Sequence, residues 1–176
     1  MNLTISRAKV FAARAHGAQV RKYTGEPYIN HPEAVVGILE DAMVDDPNMI
    51  AAAWLHDVLE DTATTREEIR EHFGEAIFRL VVELTNASQP EDGNRAKRKE
   101  IDRQFLLGVS LKAKTIKLAD LIDNTRSIMK HDPKFARVYV PEARALLQAL
   151  RGGDIFLWLI LKEQLDNFSD SATVRP

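Results

Sequence analysis

The chain has 176 residues, no cysteine, 24 lysines and arginines against 26 aspartates and glutamates, and 45% hydrophobic residues. That length carries one domain with a real core, and the lack of cysteine excludes disulfides, thiolate catalysis and cysteine-based zinc sites, so any metal would rest on histidine, carboxylate and water. The net charge of -2 gives no global attraction to nucleic acid or to an anionic membrane, and the longest apolar run, Ile155 to Leu161, falls far short of the roughly 20 residues a membrane helix needs.

The first residues hold no long apolar segment with a cleavage-like site, so no signal peptide is expected and the expected compartment is the cytoplasm. Apolar periodicity is helical nearly throughout. A first helix is predicted from Leu3 towards Val20, and Thr24, Gly25 and Pro27 then break the pattern. Pro32 sits where a first-turn proline opens a second helix, running towards Glu40. Asp46 and Pro47 pair as N-cap and first residue of a third, predicted to run through Ala53 and Leu55 to Leu59. Thr65 and Glu68 fit a capping box at the head of a short helix. Gly74 punctuates, and Ile77, Leu80, Val81 and Leu84 mark another amphipathic helix.

Residues 86–93 read as a loop by composition. A charged helix is predicted over 94–107 and another over 112–129. Asp132 and Pro133 open the next, to about residue 150. Gly152, Gly153 and Asp154 turn the chain into a last helix ending near Phe168, and residues 171–176 are expected to fray. There is no internal repeat, no convincing β alternation and no Gly-rich phosphate loop. The expected architecture is all-α, a single helical domain over 1–170 with about eight or nine helices.

The stretch from His56 to Asp61, HDVLED, is the most informative. On one continuous helix, residues 56 and 60 would share a face, as would 57 and 61. His56 and Asp57 can converge on one cation beyond a helix end. They follow a wholly apolar run, Ala51 to Leu55, where uncompensated charge is expensive and a divalent cation would compensate it. The same string also fits an acidic helix end facing water. His31, between an extended segment and a proline-led helix, has the restricted reach that suits a ligand, and equally suits a packed or capping histidine. Asp120 is a carboxylate on an otherwise inward-looking helix face, which also fits a bond to a neighbouring lysine or arginine. His16, His72 and His131 lack such context and read as structural or surface residues.

Taken together, His31, His56-Asp57 and Asp120 reproduce the H…HD…D order of the HD-domain superfamily, and three segments are more specific. Residues 21–32, RKYTGEPYINHP, resemble the opening motif of RelA/SpoT-type (p)ppGpp hydrolases; residues 56–62, HDVLEDT, resemble their HDxxEDT motif; and Lys117 to Asp120 with Asn124 resembles their KLAD…N segment. The resemblance implies an HD-domain helical bundle holding one divalent cation, usually Mn²⁺, on His31, His56, Asp57 and Asp120. It implies Glu60 and Asp61 as the pair that positions and deprotonates the attacking water, their mutual repulsion raising one pKa towards neutrality. It places Arg21, Lys22, Asn124 and Ser127 along a small-molecule nucleotide substrate, and the length matches the stand-alone hydrolase type. Arg95, in the basic run from Arg95 to Lys99, is a candidate for the phosphate tail, although such a run also fits a solvated helix face. No nucleic-acid-binding module is recognisable beside it, so neither nucleic acid nor membrane is an expected partner. Where the long relatives place an arginine and a histidine between KLAD and the asparagine, this chain has Leu121, Ile122 and Asp123. That departure leaves another nucleotide or phosphoester as the alternative substrate, while the presence of both Glu60 and Asp61 argues against a non-catalytic nucleotide-sensing module.

Overall fold

In a computed structural model that describes residues 2–168, nine α-helices and one short 3₁₀ turn account for the secondary structure. They are α1 (Leu3–His16), α2 (Asn30–Asp41), α3 (Pro47–Leu55), α4 (Val58–Asp61), α5 (Arg66–Leu84), α6 (Arg95–Gly108), α7 (Leu111–His131), α8 (Pro133–Ala149) and α9 (Ile155–Asp166). The tail expected to fray, 171–176, lies outside the described residues. No helix among the described residues is long and apolar enough to cross a membrane.

Local chemistry sets most of these boundaries. Asn2, Asp46, Thr65, Asn94, Ser110, Asp132 and Asp154 each accept a backbone N–H in the first turn of the helix they precede. Thr65 and Glu68 form the reciprocal capping box. Pro47 and Pro133 occupy first-turn positions, where the missing N–H costs nothing. Gly74, at φ 77° and ψ 172°, interrupts α5, so the segment is two helices end to end, as the punctuation predicted.

Two differences from the sequence reading shape the site. The first helix ends at His16 rather than continuing towards Val20; Gly17 caps it at φ 51°, and Val20 instead pairs with Pro27 in an isolated antiparallel bridge. The third helix stops at Leu55 instead of reaching Leu59. His56 and Asp57 form a turn, and α4 starts afresh at Val58.

The core is built on α3 and α7. Every residue from Met49 to Leu55 is buried, as expected of a helix apolar on all sides. The small Ala8 and Ala12 of α1 let that helix lie close against α3. α7 carries Ile116, Leu118 and Ile122 into the same core and is flanked by α2, α8 and α9. The turn into α9 presses so tightly on α7 that a Cβ at Gly153 would stand 2.9 Å from Leu118 Cδ1 and 3.1 Å from the Lys114 backbone. One face of α7 therefore meets α2 and the end of α3 at the centre of the molecule.

A candidate metal centre between the second, third and seventh helices

His31 enters from the first turn of α2, His56 and Asp57 from the turn that ends α3, and Asp120 from the middle of α7. His31 Nε2 lies 3.2 Å from His56 Nε2, 3.6 Å from Asp57 Oδ2 and 3.2 Å from Asp120 Oδ1. His56 Nε2 lies 3.0 Å from Asp57 Oδ2 and 3.8 Å from Asp120 Oδ1. Both histidines and Asp120 are buried. All four residues expected as ligands are thus brought together, and the break between α3 and α4 explains how adjacent residues manage it. On a continuous helix, His56 and Asp57 would diverge by about 100°.

Each imidazole is oriented from behind. His56 Nδ1 is 2.8 Å from the Ala53 carbonyl oxygen, which can only accept, so Nδ1 carries the proton. His31 Nδ1 is 2.7 Å from Asp123 Oδ2, which also accepts a bond from Arg21 Nη2 at 2.8 Å. With each Nδ1 engaged from behind, the two Nε2 atoms are left facing each other across the pocket, the arrangement in which a carboxylate or carbonyl behind a histidine prepares it as a metal ligand. Burial works against charging His31, yet its bonds to Asp120 and Asp123 and the nearby Asp57 outweigh that and hold its pKa up at about 9. Burial likewise opposes the charge on Asp57 and Asp120. The neighbouring His56, for Asp57, and Lys117, for Asp120, overcome it, so both carboxyls stay ionised well below the usual range.

A divalent cation fits this set. His31, His56 and Asp57 can present ligand atoms that all lie within 4.8 Å of one another, and Asp120 Oδ1 stands beside them, 3.2 Å and 3.8 Å from the two Nε2 atoms. Two Nε2 atoms and two buried carboxylates call for positive charge between them, and a bound cation would take the place of the proton that His31 otherwise holds. Three further groups hold the carboxylates. Tyr28 Oη donates to Asp57 Oδ2 at 2.5 Å, Lys117 Nζ sits 2.8 Å from Asp120 Oδ2, and Asn124 Nδ2 donates to Asp120 Oδ1 at 2.6 Å.

The expected catalytic pair is divided. Glu60 accepts from the Asn86 backbone N–H and from Asn86 Nδ2, both at 2.6 Å, whereas Asp61 faces Gln19, whose Nε2 is 3.4 Å from Asp61 Oδ2. The Glu60 pKa is raised, and burial is the chief cause. Lys117 and the Asn86 bonds pull it back down. Neighbours on one helix turn, the two carboxylates point to different sides and meet different partners.

Glu60 stands in a polar cleft of about 420 Å³ with Asn86, Ser88, Arg95, Arg98 and Lys99 on its walls. Arg95 is also committed elsewhere, donating twice to Glu142 at 2.7 Å and lying 5.2 Å from the Phe135 ring centre. Arg21, Lys22, Asn124 and Ser127 gather with Tyr28 and His31 around a second, smaller cavity of about 150 Å³. Sequence reading missed Tyr28, Asn86, Lys117 and Asp123 as members of the site. Lys117 and Asp123 were within its reach, since each stands three residues from Asp120 on the same helix and shares its side.

Residues 8–151 match the HD domain family. The chain is 36% identical over 160 residues to guanosine-3′,5′-bis(diphosphate) 3′-pyrophosphohydrolase MESH1 of Xenopus tropicalis, covering 87% of this chain and 88% of that protein. It is 38% identical over 135 residues to GTP pyrophosphokinase rsh of Brucella ovis, covering 74% of this chain but only 18% of that longer protein. Among solved structures, a metazoan ortholog of SpoT that hydrolyzes ppGpp superposes with a TM-score of 0.86 and 32% identity over 94% of this chain and 96% of the other. Matched over most of its length by sequence and by fold, and carrying the paired histidines and aspartates at its centre, the chain belongs to the HD domain family.

Proposed function

We propose that the protein is a metal-dependent (p)ppGpp 3′-pyrophosphohydrolase that converts guanosine tetra- or pentaphosphate to GDP or GTP and pyrophosphate in the cytoplasm. One observation carries the reading: four ligand atoms converge beside the Glu60 cleft, in a chain similar to a stand-alone 3′-pyrophosphohydrolase over nearly the whole length of both.

His31, His56, Asp57 and Asp120 would hold one divalent cation, and a set of two imidazole nitrogens with carboxylate oxygens suits Mn²⁺. Such a cation, when bound, acidifies a water molecule and neutralises charge on phosphoryl oxygens. Glu60, helped by Asp61, accepts the water proton; the raised pKa of Glu60 makes it a better base near neutrality than an ordinary glutamate. The water oxygen bonds to the phosphorus nearest the ribose, the bond from that phosphorus to the 3′-oxygen breaks, and pyrophosphate leaves. Arg21, Lys22, Asn124 and Ser127 line the nucleoside side, and Arg95, with Arg98 and Lys99, offers positive charge to the phosphate tail on the other.

A second substrate, another nucleotide or phosphoester, is favoured by one contact. Arg21 is already paired with Asp123, which brings negative charge to the nucleoside side. Both readings are tested by adding ppGpp and Mn²⁺ to the purified protein and following pyrophosphate release, with the Glu60→Gln/Asp61→Asn double variant as control. Turnover that the control abolishes supports the first reading. No turnover with a cation still bound overturns it and directs the assay to other nucleotides.

A further inference from the structure

His16 has no part in the chemistry described so far, yet it is buried, with only 5% of its surface exposed, and one of its ring nitrogens, Nε2, has no partner. The other, Nδ1, lies 2.9 Å from Gln19 Oε1, and Gln19 Nε2 lies 3.4 Å from Asp61 Oδ2. We propose that His16, acting through Gln19, is a positioning residue for Asp61. The inference rests on the role given to Asp61 above.

Hydrogen-bond polarity fixes the whole string. A carboxylate only accepts, so the Gln19 amide must turn its NH₂ towards Asp61. That leaves Oε1 facing His16, and Oε1 also only accepts. His16 must then carry its proton on Nδ1, and Nε2 is left as a bare acceptor. The opposite tautomer would set two acceptors 2.9 Å apart and strand a buried N–H, the costlier orphan. The lone unpartnered nitrogen is what this arrangement predicts.

The backbone holds the string in register. The Gln19 N–H donates to the His16 carbonyl and the Gln19 carbonyl accepts from the Tyr28 N–H, both at 2.9 Å. The His16 ring lies 4.6 Å from the Tyr28 ring at 34°, and Tyr28 is the residue that donates to Asp57. One buried imidazole thus stands behind a proposed metal ligand and a proposed base together. Gly17 ends α1 just after His16, which lets Gln19 turn back towards Asp61.

The test compares His16→Asn, whose Nδ2 can replace the Nδ1 donor, with His16→Leu, which cannot. Both lose the ring packed on Tyr28, so a purely structural role lowers them alike. The proposal expects His16→Leu and Gln19→Leu to lose roughly 10- to 100-fold in kcat with KM unchanged, and His16→Asn to stay close to the wild type. Equal losses in the two His16 variants, or a change confined to KM, would overturn it. The second readout needs no turnover: nitrogen NMR should find neutral His16 protonated on Nδ1, and the Gln19 side-chain NH₂ signals should move in Asp61→Ala. A His16 proton on Nε2, or unmoved Gln19 signals, refutes the string. Because this readout is independent of activity, failure of the wild type on ppGpp would remove the substrate assignment and leave the string decided by NMR.

Discussion

The four converging ligands and the two carboxylates that follow them are a few residues apart and are held in opposite ways. The ligands sit on long helices or at their ends, are mostly buried, and each is held by a further group: His56 by Ala53, His31 by Asp123, Asp120 by Lys117 and Asn124, and Asp57 by Tyr28. Glu60 and Asp61 ride on the four-residue α4 and reach solvent, Glu60 from the wall of a cleft that partly desolvates it. Their partners come from connecting segments, Asn86 after α5 and Gln19 after α1. The contrast separates two tasks. A metal pocket has to be rigid and dry before its ligand arrives, while groups that exchange protons with water need access to it.

Substitutions can break or sharpen that contrast. Asp120→Asn should have the largest effect, removing one negative charge from the pocket while keeping its volume. Metal content by elemental analysis and turnover should both fall to background, whereas retention of a stoichiometric cation would show that the other three groups suffice. Next is Asp123→Asn, which weakens the acceptor behind His31 and releases Arg21. A loss of roughly 10- to 100-fold in metal affinity is expected by competition with a chelator. The smallest effect belongs to Asn86→Ala. Burial already raises the Glu60 pKa, and the two Asn86 bonds favour the charged form. A base is lost as pH falls through its pKa, so removing Asn86 should move the acid limb of the kcat/KM profile further towards neutrality while metal content stays constant. An unmoved limb would mean that Glu60 does not titrate in that step.

The contrast also marks what could be read from the sequence. The helices were legible because caps, prolines and glycines act within a few residues, and Asp46-Pro47, Thr65/Glu68, Gly74 and Asp132-Pro133 all stand where they were read. The convergence of His31, His56, Asp57 and Asp120 follows from apolar flanks and from family resemblance. The break at His56 and Asp57 was not legible, since apolar periodicity runs across it without interruption. Contacts between distant segments were also hidden. The Glu60 bond to Asn86 spans 26 positions and the Arg21 bond to Asp123 spans 102. No local pattern records that an arginine expected along the nucleotide spends its guanidinium on a carboxylate of α7.

The separation of His31 from Asp123, 92 positions, bears on how the protein reaches its working state. The pocket draws on α2, α3 and α7, so a nascent chain that has not yet released α7 holds the histidines with neither Asp120 nor the carboxylate that orients His31. A cation needing all four groups then recognises the finished fold and ignores partly folded chains. Each tenfold rise in free cation above its dissociation constant would deepen the native well by about 1.4 kcal/mol, making the ion a late arbiter of folding as well as a reagent.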